Sequence, residues 1–301
     1  MKLTILGCYS ATPRANAHTT AQVLEIKNHY FLIDCGEGTQ RQLRRYKISF
    51  SRIKHIFISH LHGDHVYGLI GFISSMGLLH REKELHVHGP KGIKKLILTQ
   101  LKLSESYTPF PLYFHELTQT QPEVIFEDDK VTVENIPLDH RIYTNGYLFK
   151  EKPSDRKLLI EKAKAYDIDV ALYNNIKKGK DIRLDSGVLL KNEELTADPP
   201  PPKSYAFCSD TAYKPDIVSQ IKGVTALYHE ATFQEDHSDL CDYTKHSTAK
   251  QAARIAEMAQ VGKLILGHYS GRYSSLSGFL EEAKSIFSKT ALAEDGKVFK
   301  I

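Results

Sequence analysis

The sequence lacks any apolar run near the roughly 20 residues that a membrane-crossing helix requires, which argues against a spanning segment. Its start, MKLTILGCYSATPR, lacks the long apolar stretch of a secretory leader and reads as a first strand running into a loop. Cysteine is scarce. Cys8, Cys35, Cys208 and Cys241 stand apart, none at CxxC spacing, so nothing suggests a disulfide framework. A reduced, cytoplasmic protein is the simplest reading. Excess charge is small as well: 40 basic residues stand against 36 acidic ones, a net +4. A nucleic-acid partner therefore cannot be argued from the total, only from where the charge sits. What is present is 301 residues, 41% of them apolar. That is enough for a sizeable core and within the range of one α/β sandwich.

Strand-like and helix-like stretches alternate along the chain. Strands are expected at 2–7, 20–26, 30–34, 53–58, 85–89, 131–138, 145–149, 204–208, 224–229 and 263–267. Helices are expected at 37–46, with Glu37 in the first turn, and at 66–79, 90–102, 214–222, 247–260 and 276–287. The stretch 66–79 is apolar almost all round, which suits either a deep core helix or a subunit interface. No short repeat is present, but the alternation recurs in both halves. The fold class is thus α/β, an αββα sandwich of two face-to-face sheets with helices outside, forming a single domain over 1–301.

Residues 150–203 break this alternation. Between 150 and 191 eleven bases face seven acids, an excess of four, and the segment closes on Asp198 and Pro199 to Pro202. The proline run predicts a stiff, extended stem. The segment reads either as a solvated excursion or as a flexible arm that grips a polyanion.

His60-Leu-His62-Gly-Asp64-His65 packs three imidazoles and a carboxylate behind an apolar strand. These donor types suit zinc and similar ions. In an extended segment His60 and His62 point the same way, and Gly63 allows a sharp turn that swings Asp64 and His65 toward a second ion. Four ligands cannot close two sites. His140, Asp210 and His268 each follow an apolar strand and are the candidates to complete them, with the Asp210 carboxylate able to bridge two cations. His86 and His88 also alternate on one strand but lack a neighbouring carboxylate or turn, and read as structural.

HLHGDH, followed by His140, Asp210 and His268 in that order, resembles the metallo-β-lactamase superfamily. Three further features narrow the resemblance to the ribonuclease Z family. They are Asp34-Cys-Gly-Glu-Gly-Thr-Gln40; His229-Glu-Ala-Thr-Phe233 with His246-Ser-Thr248; and His268-Tyr-Ser-Gly-Arg-Tyr273. The resemblance spans nearly the whole chain and departs from the family pattern at Pro13 to Thr19 and at Val170 to Tyr173.

The resemblance implies the metallo-β-lactamase fold with an inserted tRNA-binding arm and a homodimer in the cytoplasm. It also implies two zinc ions per subunit, with manganese or a similar ion as the alternative. One ion would take His60, His62 and His140, the other Asp64, His65 and His268, with Asp210 bridging. The implied reaction is removal of the 3′ trailer from precursor tRNA. His246, oriented by Glu230, would be the proton donor, Asp64 would accept the water's proton and Arg272 would clamp the phosphate. Plainer roles stand beside these. His246 and Ser247 could cap the helix that follows, Glu230 could be a buried structural carboxylate, and Gly36 to Thr39 could be only a tight turn. The rival functions are another two-metal hydrolase of this fold, acting on a small phosphodiester, thioester or lactam, and a non-catalytic RNA-binding relative.

Overall fold

The computed structural model describes residues 1–12, 14–184 and 186–301; Pro13, at the head of the departing loop, and Asp185, one of the acids of the insertion, lie outside the described residues. Two compact units are present. The larger comprises Met1–Glu127, Val131–Lys150 and Lys203–Ile301.

The first sheet of the larger unit contains β1 (Lys2–Gly7), β2 (Ala21–Ile26), β3 (His29–Ile33), β4 (Ile53–Phe57), β5 (Leu85–Pro90) and β6 (Leu112–Leu117). The second begins with β7 (Val124–Glu127), β8 (Val131–Pro137) and β9 (Asn145–Glu151). Four two-residue strands of the smaller unit follow: β10 (Lys157–Leu158), β11 (Ile182–Arg183), β12 (Leu189–Leu190) and β13 (Thr196–Ala197). The second sheet resumes with β14 (Ser204–Cys208), β15 (Ala226–Glu230), β16 (Leu264–Gly267) and β17 (Thr290–Leu292). β18 (Val298–Lys300) returns to the first sheet and pairs antiparallel with β1. Each large sheet has seven strands, ordered β18-β1-β2-β3-β4-β5-β6 and β17-β16-β15-β14-β9-β8-β7.

Alternation along the strands drives the layering. Leu3, Ile5, Phe31 and Phe57 of one sheet meet Val133, Tyr147, Phe149 and Phe207 of the other in a common core. The opposite face of the first sheet is covered by α1 (Thr39–Arg45), α2 (Gly63–Leu78) and α3 (Ile93–Leu103). The second sheet is covered by α8 (Ala249–Met258) and α9 (Ser277–Lys284), the short α7 (Cys241–Thr244) lying just before α8 in the chain. This is the expected αββα sandwich, two face-to-face sheets with helices outside. All four cysteines are free and buried. Among the described residues no helix is long and apolar enough to cross a membrane.

Several expected elements shift. α1 starts at Thr39 behind a left-handed Gly38, so Glu37 lies outside it and its first turn holds no acid. α2 starts at Gly63, three residues early, and its buried stripe of Val66, Leu69, Phe72, Ile73 and Met76 makes it a core helix. Gly63 supplies no special turn. Its near neighbour is the ring of the exposed Tyr67, 2.3 Å from where a Cβ would lie. The expected helix at 214–222 is a 3-10 turn over Pro215–Val218. β6, β7, β17 and β18 were not expected.

The smaller unit, Asp128–Lys130 with Glu151–Pro202, has its own core of Leu158, Ala163, Ile168, Ile176, Ile182, Leu190 and Leu195. It holds α4 (Ile160–Ala165), α5 (Tyr173–Lys177) and α6 (Asn192–Leu195). Its charge corrects the sequence reading. The unit also takes in Asp128, Asp129, Glu193, Glu194 and Asp198. With these it carries eleven basic and twelve acidic residues, a net −1, leaving +5 on the sandwich. Within it Arg156 pairs with Asp198, and Lys191 with Asp181.

His86 and His88 stand in a layer of imidazoles between the sheets. His55 and His86 stack at 4.8 Å between ring centroids, and His88 and His115 at 4.3 Å. Nδ1 of His55 faces Nε2 of His88 at 3.2 Å, while Nδ1 of His88 is buried without a partner. Burial, reinforced by the neighbouring imidazoles, lowers His55 to about 3 and His88 to about 2. Each folded pKa lies below the unfolded value near 6.5, so the unfolded chain binds the extra proton. Stability is therefore lost as pH falls below about 6.5, by about 1.4 kcal/mol per pH unit per histidine. We expect His88→Phe to hold its stability at pH 7 and to flatten the decline between pH 6.5 and 4 by about that amount. Urea unfolding at stepped pH measures this, and an unchanged slope contradicts the buried neutral imidazole.

Candidate metal centre

Parallel pairing puts the strand ends together. β14, β15 and β16 run parallel, as do β3, β4 and β5. Their C-terminal ends deliver Asp34, Ser59 to His62, Asp210, Glu230 and His268 to one edge of the sandwich, where α/β folds place ligands. α2 carries Asp64 and His65 in its first turn, where a carboxylate is favoured by the helix dipole. Asp34, Asp210 and His268 all have positive φ, 55°, 54° and 61°, as do Ala11 and Lys245, whose backbones touch the cluster. Such backbone costs on the order of 1–3 kcal/mol per residue and gathers at functional sites.

All seven sequence-predicted ligands converge. Nε2 of His60 lies 3.0 Å from Nδ1 of His62, which lies 3.3 Å from Nε2 of His140. Nε2 of His65 and of His268 are 3.3 Å apart, and each sits 3.4–3.5 Å from Oδ2 of Asp64. Asp210 joins the halves. Its Oδ2 faces His60 at 3.5 Å and His140 at 3.8 Å, and its Oδ1 faces His65 at 3.2 Å and His268 at 3.1 Å. Two groups follow, His60–His62–His140–Asp210 and Asp64–His65–His268, each close enough to hold one ion.

The surrounding hydrogen bonds aim the free nitrogens inward. His65 Nδ1 is 2.7 Å from Asp34, whose carboxylate also accepts from the Ser59 amide and hydroxyl. The Ser59 hydroxyl donates there, so it accepts from His60 Nδ1 at 3.0 Å. His140 Nδ1 donates to the Lys245 carbonyl, and His268 Nδ1 to Thr232 Oγ1, which itself donates to Glu230. For His60, His140 and His268 this puts the proton on Nδ1 and leaves Nε2 as a lone pair for a metal. Burial disfavours a charge on His65, but the facing Asp210, Asp64 and Asp34 carboxylates outweigh it and raise it well above its ordinary value, so a bound ion would displace a proton from its Nε2. Burial holds His60, His62 and His140 neutral, as ligands must be. Asp64 and Asp210 stay ionised. Burial works against them, but the facing imidazoles outweigh it and hold both carboxyls below their usual range. The donor set fits borderline divalent ions.

His246 and Glu230 form a second feature. His246 Nδ1 is 2.7 Å from Glu230 Oε1, and Glu230 also accepts from the amides of Thr211 and Thr232. Burial disfavours the imidazolium, but the Glu230 carboxylate prevails and raises His246 to about 9. The capping alternative fails. Thr248 is the N-cap of α8, in a capping box with Gln251, while the Ser247 hydroxyl donates to the Thr211 carbonyl. Arg272 lies over the Phe233 ring at 5.2 Å, and with Arg141 it lines the pocket of about 290 Å³ above the cluster. Gly36 serves close packing, since a Cβ would lie 2.3 Å from the Asp64 carbonyl.

Sequence reasoning missed Asp34, Ser59, Thr232 and Arg141. Asp34 and Thr232 lie inside motifs quoted for the family, and Ser59 and Arg141 flank ligands.

Residues 1–154 match the model of the family described as anti-Pycsar protein Apyc1, a match that ends before Asp210, Glu230, His246 and His268. Curated relatives cover the rest. A ribonuclease Z of Porphyromonas gingivalis is 46% identical over 97% of this chain and 96% of its own length. One of Bacteroides fragilis is 45% identical over 98% and 97%. The chain belongs to the ribonuclease Z family. Among solved structures, human tRNase Z, short form, superposes with a TM-score of 0.73 at 24% identity, covering 100% of this chain and 99% of its own. A metallo-β-lactamase fold protein of Bacillus subtilis does so with 0.68 at 19%, covering 99% and 98%. These two likenesses concern the fold. Family and fold together support a metal cofactor, and the His/Asp cluster offers the donors that could hold it.

Proposed function

We propose that this chain is a metal-dependent endoribonuclease that removes the 3′ trailer from precursor tRNA, leaving tRNA with a 3′-OH and a trailer with a 5′-phosphate. Full-length likeness to curated ribonuclease Z proteins, joined to an intact seven-ligand cluster, carries this reading.

The site would take two zinc ions per subunit, or manganese in their place: His60, His62 and His140 would hold one and Asp64, His65 and His268 the other, with the Asp210 carboxylate facing both halves of the cluster. Such a pair would supply a water acidified to a pKa of about 7 and charge to offset the phosphate. The protein's own groups do the rest. Asp64, fixed by the Ala11 amide at 2.8 Å, accepts the water's proton as oxygen attacks phosphorus. The bond from phosphorus to the ribose 3′-oxygen breaks, and His246, aimed by Glu230, returns a proton to that oxygen. Arg272, helped by Arg141, grips the non-bridging oxygens, since guanidinium matches phosphate in geometry and charge. Assaying 3′-extended tRNA beside a small chromogenic phosphodiester tests the reading. Turnover of the small ester alone would favour the rival hydrolase.

The smaller unit is the arm that grips tRNA. It has its own core and holds none of the seven ligands. We expect deletion of residues 152–200, closed by a short linker, to weaken tRNA binding and lower its salt dependence. Hydrolysis of the small ester should survive. Unchanged tRNA affinity and salt slope would make the unit a bland excursion.

The working form is a homodimer in the reduced cytoplasm, in keeping with four free cysteines. Leu78, Leu79, Leu103 and Tyr107, around the ends of α2 and α3, are 51–89% exposed. Apolar exposure of this kind marks an interface, and a second copy is the occupant we assign. Leu78→Glu with Leu103→Glu should shift the mass measured by light scattering from dimer to monomer. Persistence of the dimer would place the interface elsewhere.

A further inference from the structure

The net +5 of the sandwich has a location. Two hollows lie along α1 and share Arg44. One, of about 880 Å³, is lined by Arg44, Lys47, Arg52, Lys54, Arg81 and Lys83, with Glu82 as the one carboxylate on its wall. The other, of about 1000 Å³, is lined by Arg14, Arg41, Arg44 and Arg45, with Glu37 as its one carboxylate.

Among the described residues no carboxylate lies in ion-pair contact with Arg14, Arg41, Arg44, Arg45 or Lys47. Aromatic rings hold several of them instead. Arg44 sits over Phe50 at 5.1 Å and Arg52 over Tyr30 at 3.7 Å. A ring fixes a guanidinium while leaving its edge donors available to an oxyanion. Arg81 is stranger still. It is only 8% exposed, and its Nε and Nη2 donate to the carbonyls of Lys83 and Glu84. Its Nη1 is buried with no partner. Glu84 offsets part of this charge, but the unpartnered nitrogen of a largely buried guanidinium ringed by exposed cations is costly to the protein alone, and an anion in the hollow would offset it.

The cationic path continues toward the metal cluster. The loop bearing Arg14 begins at Ala11, whose amide holds Asp64. The Arg14 side chain lies 3.9 Å from the Cβ position of Gly271, the neighbour of Arg272.

We propose that this groove seats the sugar–phosphate backbone of the RNA substrate on the sandwich itself, independently of the arm. The inference rests on the ribonuclease reading and deepens it. Recognition there is of phosphate and shape, because the lining offers charge more than base-reading groups.

The test uses the full-length protein and mature tRNA, which has no trailer to cut. Binding is titrated over a range of salt for wild type, for Arg44→Gln/Lys47→Gln/Lys83→Gln, and for the control Lys222→Gln/Lys284→Gln/Lys289→Gln. Each lost phosphate contact should make the slope of log affinity against log salt shallower by about 1, so by two to three for the groove variant. Affinity should fall about tenfold or more, with turnover of the small phosphodiester unchanged, and the control should behave as wild type. Wild-type affinity and slope in the groove variant overturn the proposal, as does an equal loss in the control. Absence of tRNA binding by the wild type overturns it too. Binding without trailer cleavage would instead remove the assigned reaction, while the comparison of variants still decides the groove.

Discussion

We expect Asp210→Ala to abolish both metal retention and cleavage. Its two carboxylate oxygens face opposite halves of the cluster, so its loss disrupts both at once. Metal-ion catalysis supplies several kcal/mol of transition-state stabilisation. At 1.36 kcal/mol per decade, its loss lowers the rate by about a thousandfold or more. Metal analysis of the dialysed variant and its rate on 3′-extended tRNA measure the two effects together. Full metal content with near-normal turnover would remove Asp210 from its bridging place.

His246→Ala has the next largest effect and a different signature. Turnover should fall about 10²–10⁴-fold, the usual cost of losing one general acid, while metal content stays near normal. His246 approaches Asp210 and His268 closely enough to be confused with a ligand. Its partner says otherwise, because Nδ1 is committed to Glu230 at 2.7 Å. Glu230→Gln serves as the companion variant. It keeps the amide contacts of the loop while removing the charge that holds His246 protonated, so it should reduce turnover without releasing metal. Loss of metal from His246→Ala would make the residue a ligand, and wild-type turnover with chemistry rate-limiting would leave it a structural tie.

The residues of the cluster were legible because their chemistry is dense and local. Three imidazoles and a carboxylate within six residues have few structural explanations, and His140, Asp210 and His268 each stand just beyond an apolar strand. Their second layer was less so. Asp34 and Thr232 act only through contacts across long sequence separations, His65 being 31 residues from the first and His268 36 from the second. Four of the missed strands, those of the two large sheets, share one physical reason. β6, β7, β17 and β18 are the four sheet edges, so each is paired on one side only and shows little apolar alternation. β17 and β18 are also just three residues long. The helix expected at 214–222 shows the reverse error. Ile217 and Ile221, four apart and both buried, give helical spacing to a chain that makes a 3-10 turn after Pro215. Charge misled for a topological reason. The bases of the insertion lie within one stretch of sequence, whereas several of the acids in the same unit come from its ends and from Asp128 and Asp129.

End-group analysis of the products from a 3′-extended precursor tRNA tests the central claim most directly. With zinc or manganese present, the expected result is a single cut near the end of the acceptor stem. The tRNA fragment should carry a 3′-OH and the trailer a 5′-phosphate, because attack on phosphorus breaks its bond to the ribose 3′-oxygen. A 2′,3′-cyclic phosphate on the tRNA fragment, or an uncut precursor with the metal bound, would contradict it.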